Sequence, residues 1–107
     1  VAVPNPESAD ATHYGSDWAG YDVPRHLYHF SQKSMTAFQE QFGLELIRVE
    51  PLAYDSYYVS LLSEGYKNPK AGLLTRYMKA SIQGYRSNQH AGHPGNYSSN
   101  IFIFKKK

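Results

Sequence analysis

The sequence predicts an α/β fold in which helices flank a sheet of three strands. The first observation is the order of elements, because a helix that connects two strands is typical of an open α/β sheet. The second is the run at residues 101–104, which is apolar at every position and is typical of a strand covered on both faces. Because three strands cover the flanking helices poorly, we expect residues 1–107 to be a single domain that forms part of a larger sheet.

The strands are predicted at residues 1–3, 44–49 and 101–104. Pro4 ends the first strand and Pro51 the second, because proline cannot donate a hydrogen bond to a strand ladder. Residues 7–29 show no sustained period, so we expect a long loop there. Loops of that length in a compact domain usually serve a site, and the aromatic side chains of this one favour an ordered lid.

The first predicted helix begins after Ser31, whose hydroxyl can accept from the free amides of the first turn. Met35, Phe38 and Phe42 form its buried stripe. Gly43 is expected to end it in a left-handed conformation.

Two further helices are expected before the last strand. One is capped by Asp55 or Ser56 and ends near Gly65, and the other has Asn68 as its cap and Pro69 in its first position. Residues 86–96 are predicted to be a loop. The buried side of the last helix is assigned to its large apolar residues, Leu73, Leu74, Tyr77, Met78 and Ile82.

Charge and composition exclude several classes of protein. Of the formal charge of +2, three positive charges come from the terminal lysines, and the rest of the chain carries eight basic against nine acidic residues. This balance argues against a nucleic-acid partner. The absence of cysteine excludes disulfides and thiolate metal sites. No apolar stretch or leader suggests a membrane, so a cytoplasmic protein is expected.

Several segments carry a family resemblance. They are Val3-Pro4-Asn5, Trp18, residues 21–31, Phe42-Gly43-Leu44 and Tyr97-Ser98-Ser99. Together they resemble the C-terminal half of class I S-adenosylmethionine-dependent methyltransferases of the small-molecule type. The resemblance implies a partial Rossmann-like sheet made of the last three strands, with the terminal strand inserted antiparallel between the other two. It also implies an N-terminal half, preceding Val1, that would carry most of the cofactor site.

The resemblance implies a site for a small-molecule methyl acceptor in the loop after the first strand. His26 is the candidate catalytic base, and Asn5, Trp18, Tyr21 and Arg25 are the candidate substrate-binding residues. S-adenosylmethionine would bind the intact parent but not this chain alone, because no glycine-rich turn follows a strand here. The intact parent would therefore be an enzyme and the isolated chain inactive.

Other interpretations of the same residues stay open. His26 and Arg25 could fix the loop by bonding backbone carbonyls, Asn5 could hold a turn, and Trp18 could be a plug. No partner for His26 is evident in the sequence. A non-catalytic ligand- or protein-binding module is the alternative function.

A histidine metal site is a third possibility. His26 and His29, and also His90 and His93, have a spacing that metal ligands can use, but nothing completes either set, so no metal is expected. Finally, the open edge of the first strand predicts that the isolated chain associates with itself.

Overall fold

The computed structural model describes residues 1–92 and 96–107. The strands are β1 (Ala2–Pro4), β2 (Leu44–Pro51) and β3 (Ser99–Lys106). The helices are α1 (Ala9–Tyr14), α2 (Gln32–Gln41), α3 (Asp55–Lys67) and α4 (Leu73–Ala91). Two single-turn 3-10 helices, Gly15–Asp17 and Ala19–Tyr21, follow α1. In the described part of the chain, no helix is long and apolar enough to cross a membrane.

The sheet has the order β1-β3-β2, with β3 antiparallel to both neighbours. Val3 pairs with Asn100 on one side of β3, and Val49 pairs with Phe102 on the other. The β2–β3 register shifts between Leu46 and Arg48. Because β1 and β2 both run against β3, they are parallel to each other. The α/β class is therefore confirmed, and the last strand lies in the middle of the sheet.

The long loop predicted for residues 7–29 is wrong in its first part, because residues 9–14 form α1. Ser8 caps this helix: its hydroxyl accepts from the backbone of Ala11 at 3.3 Å. The sequence pattern hid the helix because it is only 6 residues long and shows less than two turns of any period. Its buried residues are Asp10, Ala11 and Tyr14.

The prediction for α2 is confirmed at both ends. The Ser31 hydroxyl accepts from the backbone of Ser34 at 3.2 Å, and Gly43 follows the helix with a φ of 62°. The predicted stripe is buried only at its start, since Met35 is buried while Phe42 is 58% exposed. Phe42 instead packs on the ring of Phe38, with ring centroids 4.6 Å apart. The end of the predicted stripe is therefore more exposed than its start.

The boundaries predicted for α3 and α4 are wrong at three points. Gly65 does not end α3, which continues to Lys67. Asn68 ends α3 instead of starting α4: its backbone amide donates to the Glu64 carbonyl at 2.9 Å. α4 begins after Gly72 and extends through the predicted loop to Ala91. Polar residues in this C-terminal part of α4 form hydrogen bonds to other segments. The side-chain amide of Asn88, for example, donates to the Ala53 carbonyl at 3.0 Å.

The face of α4 that packs against the rest of the protein is the opposite of the predicted one. Its buried residues are small or polar: Ala80, Gln83, Gly84, Ser87 and Ala91. A Cβ atom at Gly84 would lie 2.7 Å from the ring of Tyr57 and 3.1 Å from its Cα, so only glycine permits this approach of α4 to α3. The predicted core residues are exposed, from 50% at Tyr77 to 75% at Leu74.

Candidate functional site

An open groove of about 340 Å³ lies where the carboxyl ends of two strands meet. Val3 and Pro4 come from the end of β1, Leu52 follows β2, and Ser99 begins the antiparallel β3. In open α/β sheets, ligands bind outside the carboxyl ends of the strands. The groove is therefore the candidate site by its place in the topology.

The groove has an apolar wall and a charged end. Ala19, Leu52, Val59 and Leu62 contribute apolar surface, and Tyr58 adds an exposed ring. The charged end is formed by Asp22, Arg25 and His26. Two of the predicted site residues, Arg25 and His26, thus line the groove.

Asp22 brings the two basic side chains together. Its Oδ1 accepts from Arg25 Nε at 2.9 Å and forms an ion pair with the Arg25 Nη2 group. Its Oδ2 lies 3.7 Å from His26 Nδ1. That separation is longer than a hydrogen bond but places a carboxylate beside the imidazole. Asp22 was not among the predicted site residues, although it precedes Arg25 by three residues and His26 by four.

Local backbone geometry produces this arrangement. The Asp22 amide donates to the Ala19 carbonyl at 3.0 Å, which closes the second 3-10 turn. Asp22 itself has a φ of 45°, in the left-handed region that aspartate tolerates better than most residues. Its carbonyl then accepts from the backbone of His26 at 3.0 Å, which turns the chain back over the groove.

The electrostatics of the charged end are set by this pairing. The hydrogen bond to Asp22, with the charge of that carboxylate, raises the pKa of Arg25 above its ordinary value. Arg25 is thus a permanent cation, and it stands 79% exposed at the rim. The His26 side chain is 48% exposed, so its ring is accessible to a molecule in the groove. The charged end therefore presents an exposed guanidinium, whose charge Asp22 balances, and an accessible imidazole.

Asn5 holds a turn instead of lining the groove. Its side chain is buried, and its amide donates to the Tyr97 carbonyl at 3.1 Å. Its Oδ1 accepts from the backbone of Glu7 at 3.1 Å. These bonds tie the segment after β1 to the segment before β3, so Asn5 positions the loop.

Trp18 and Tyr21 pack beside the residues that line the groove without lining it themselves. Trp18 is 2% exposed and packs over Gly20, where a side chain would collide with the indole. Tyr21 meets the Trp18 ring edge to face with centroids 5.1 Å apart. Neither residue lines the groove, so Trp18 acts as a plug of the loop.

A buried carboxylate that the sequence did not single out anchors this loop. Asp10 is fully buried and accepts from Trp18 Nε1 at 2.9 Å, from Ser87 Oγ at 2.9 Å and from Ser98 Oγ at 2.6 Å. The three donors come from the loop, from α4 and from the residue before β3. No local pattern could have predicted a contact between residues 77 and 88 positions apart.

A second carboxylate at the groove, Asp55, is also engaged. Asp55 Oδ2 accepts from the hydroxyl of Ser99, which ties the first turn of α3 to β3. The predicted capping role is not observed, since α3 has no side-chain cap.

The described histidines of the two predicted pairs are not placed in a metal-binding group. His29 Nε2 lies 2.8 Å from the Tyr21 carbonyl, so this ring and not that of His26 bonds the loop backbone. His90 Nδ1 lies 2.9 Å from the Arg86 carbonyl, and His93 lies outside the described residues. Across residues 1–92 and 96–107, no group of three or more histidine, aspartate or glutamate side chains is placed to hold a metal ion.

The groove lacks the open glycine-rich backbone that S-adenosylmethionine would need. The carboxylates of its lining are each engaged through one oxygen, Asp22 with Arg25 and Asp55 with Ser99. Gly20, the glycine of the groove, is covered by Trp18 and does not offer backbone to a ligand.

No known family model matches the chain. No curated protein is significantly similar to it, and no solved structure matches it.

Proposed function

We propose that this chain is the acceptor-side half of an S-adenosylmethionine-dependent methyltransferase. It would supply the last strands of a Rossmann-like sheet and the pocket for a small-molecule methyl acceptor. The observation that carries the proposal is the groove with Arg25 and His26 at the carboxyl ends of β1 and β2. The antiparallel insertion of β3 between these strands agrees with the strand order that the family resemblance implies.

The chemistry assigned to this half is alignment and proton removal. The acceptor would lie against Leu52 and Val59, with an anionic or polar group toward Arg25. His26 would take the proton of the acceptor's hydroxyl or amine, and Asp22 lies beside its ring, with Oδ2 3.7 Å from Nδ1. The methyl donor would be held by the N-terminal half of the intact parent, since no open glycine-rich turn lines the groove here.

Turnover of the intact parent tests the proposal. His26→Ala should lower methyl transfer by about 10² or more, the range typical of a general base. His26→Gln, which keeps a hydrogen bond but cannot accept a proton, should be equally slow. His90→Ala is the matched control, because His90 is exposed at the far end of α4, and it should leave turnover unchanged.

Two results would contradict the proposal. A His26→Ala variant within threefold of the native rate, with unaltered stability, would assign His26 a structural role. Saturable binding of S-adenosylmethionine to the isolated chain at micromolar concentration, measured by calorimetry, would contradict placing the cofactor site in another segment. A parent that binds small molecules in the groove without methylating them would be the non-catalytic binding module.

A further inference from the structure

An exposed apolar stripe runs along α4, on the side turned away from α3. Leu74, Met78 and Ile82 follow one another at intervals of four, and Tyr85 continues the same face. Their exposed fractions are 75%, 60%, 51% and 59%. Side chains this apolar are usually buried when they share one face of a helix. We call these four residues the α4 stripe.

Acidic and basic residues are distributed unevenly along the chain. No aspartate or glutamate occurs after Glu64, whereas eight of the eleven lysines and arginines do. On α4, the exposed Lys79 and Arg86 are seven residues apart and therefore lie together on one flank of the stripe. The nearly balanced charge of the whole chain conceals this strongly basic part.

A cleft of about 370 Å³ gathers these cations beside the stripe. Lys67, Lys79 and Arg86 line it together with Ile82, which belongs to the α4 stripe as well. The acidic residue of its lining, Glu64, is only 5% exposed and accepts from the Tyr14 hydroxyl at 3.0 Å. The surface beside the stripe therefore displays positive charge.

We propose that α4 lies flat on an anionic phospholipid surface. The α4 stripe would enter the boundary between headgroups and acyl chains, and the cations of the cleft would meet lipid phosphates. Aliphatic side chains flanked by cations suit such a surface better than a nucleic acid, whose backbone is read by polar and charged groups. The sequence-based expectation of no membrane rested on the lack of a spanning segment, which an interfacial helix does not need. This inference does not depend on methyl transfer.

Vesicle flotation with the full chain tests the proposal. We expect binding to phosphatidylcholine vesicles that contain phosphatidylglycerol, little binding to phosphatidylcholine alone, and weakening by salt. Lys79→Gln combined with Arg86→Gln should weaken partitioning by about 30-fold, since each cation near the surface contributes about a fivefold factor. Met78→Ser combined with Ile82→Ser should weaken it at least ~10-fold. The matched control, Lys33→Gln with Arg48→Gln, removes two exposed charges from α2 and β2 and should bind as the native chain does.

Hydrogen exchange gives a readout that requires no variant. Anionic vesicles should slow exchange along α4 and leave α2 unaffected. The proposal is overturned if the vesicles do not bind, if the control variant weakens binding as much as Lys79→Gln with Arg86→Gln, or if α4 exchanges at the same rate with and without vesicles. It is also overturned if the chain forms a dimer that Met78→Ser with Ile82→Ser dissociates, because a second copy would then cover the stripe. Equal affinity for a short DNA duplex, insensitive to the Met78 and Ile82 changes, would instead indicate a general polyanion site.

Discussion

Trp18 donates its indole hydrogen to Asp10 at 2.9 Å, and both side chains are buried. This bond joins the loop beside the groove to α1. Ser87 and Ser98 also donate to Asp10, which connects α4 and the residue before β3 to the same carboxylate. One carboxylate therefore holds together the elements that place Arg25 and His26.

Replacing Asp10 with alanine should destabilise the protein severely. Three buried donors would lose their acceptor, and each unsatisfied group costs about 1–3 kcal/mol, so we expect a loss of at least ~3 kcal/mol in the free energy of unfolding. Urea denaturation measures it. Glu40→Gln, an exposed acidic site on α2, is the control and should change little. Equal stability of the two variants would show that the Asp10 network does not support the fold.

Alanine at two glycines should have opposite effects. Gly84→Ala places a Cβ 2.7 Å from the Tyr57 ring and near its backbone, so α3 and α4 must separate at a cost of about 1–3 kcal/mol. Gly65→Ala, inside α3, would meet Arg76 at an ordinary 3.6 Å and should stabilise the helix by about 0.5–1 kcal/mol. The pair is compared by thermal unfolding. A stabilising Gly84→Ala would contradict the tight helix contact.

The Tyr14 hydroxyl should make stability fall at high pH. Burial first, and then the hydrogen bond to Glu64, raise the pKa of Tyr14 above its usual 10.0. As the pH rises through 10, the folded state therefore keeps the proton while the unfolded state loses it. The contribution of the Tyr14 hydroxyl to the free energy of unfolding is thus complete below pH 10 and is lost as the pH rises further.

Tyr14→Phe isolates this contribution. At neutral pH the variant should be about 1–2 kcal/mol less stable, because Glu64 loses the hydroxyl that donates to it. The difference in the free energy of unfolding between the native chain and the variant, measured by urea denaturation, should become smaller above pH 10. A difference that stays constant up to pH 11 would contradict the raised pKa.

Local signals in the sequence predicted local structure well. Ser31 and Gly43 mark the ends of α2 because capping and a left-handed turn depend on a few neighbouring residues. The face of α4 could not be predicted in this way. The usual inference that large apolar residues are buried fails there, because close packing against α3 selects Ala80 and Gly84.

The candidate site was predicted only in part, for a related reason. Arg25 and His26 were found because they follow the strand whose carboxyl end opens on the groove. Asp22 was missed because its role depends on the left-handed turn that directs its carboxylate toward both. Trp18 was predicted to bind substrate, but its indole donates to the fully buried Asp10. Asp10 lies eight residues earlier, on α1, and that helix is too short to be recognised from its sequence pattern.

The last prediction is that the isolated chain associates with itself through β1. In the described residues, β1 pairs only with β3, so its other edge is open. Val1 exchanges hydrogen bonds of 2.7 and 2.8 Å with Phe102, which by the alternation of an antiparallel ladder turns the amide and carbonyl of Ala2 toward that open edge. Unpaired strand edges are templates for another chain. Light scattering coupled to size exclusion should show a dimer whose share grows with concentration.

Substitutions at Ala2 test whether the edge is responsible. Ala2→Pro removes the outward amide while the bonds of Val1 and Phe102 to each other remain, so it should return the chain to a monomer. Ala2→Ser keeps the amide and should remain a dimer. Because this edge is only 3 residues long and ends in Pro4, we expect weak association that depends on concentration. A native chain that stays monomeric and unfolds cooperatively at high concentration would show that the domain is self-sufficient, and the proposal that it forms half of a larger sheet would then be wrong.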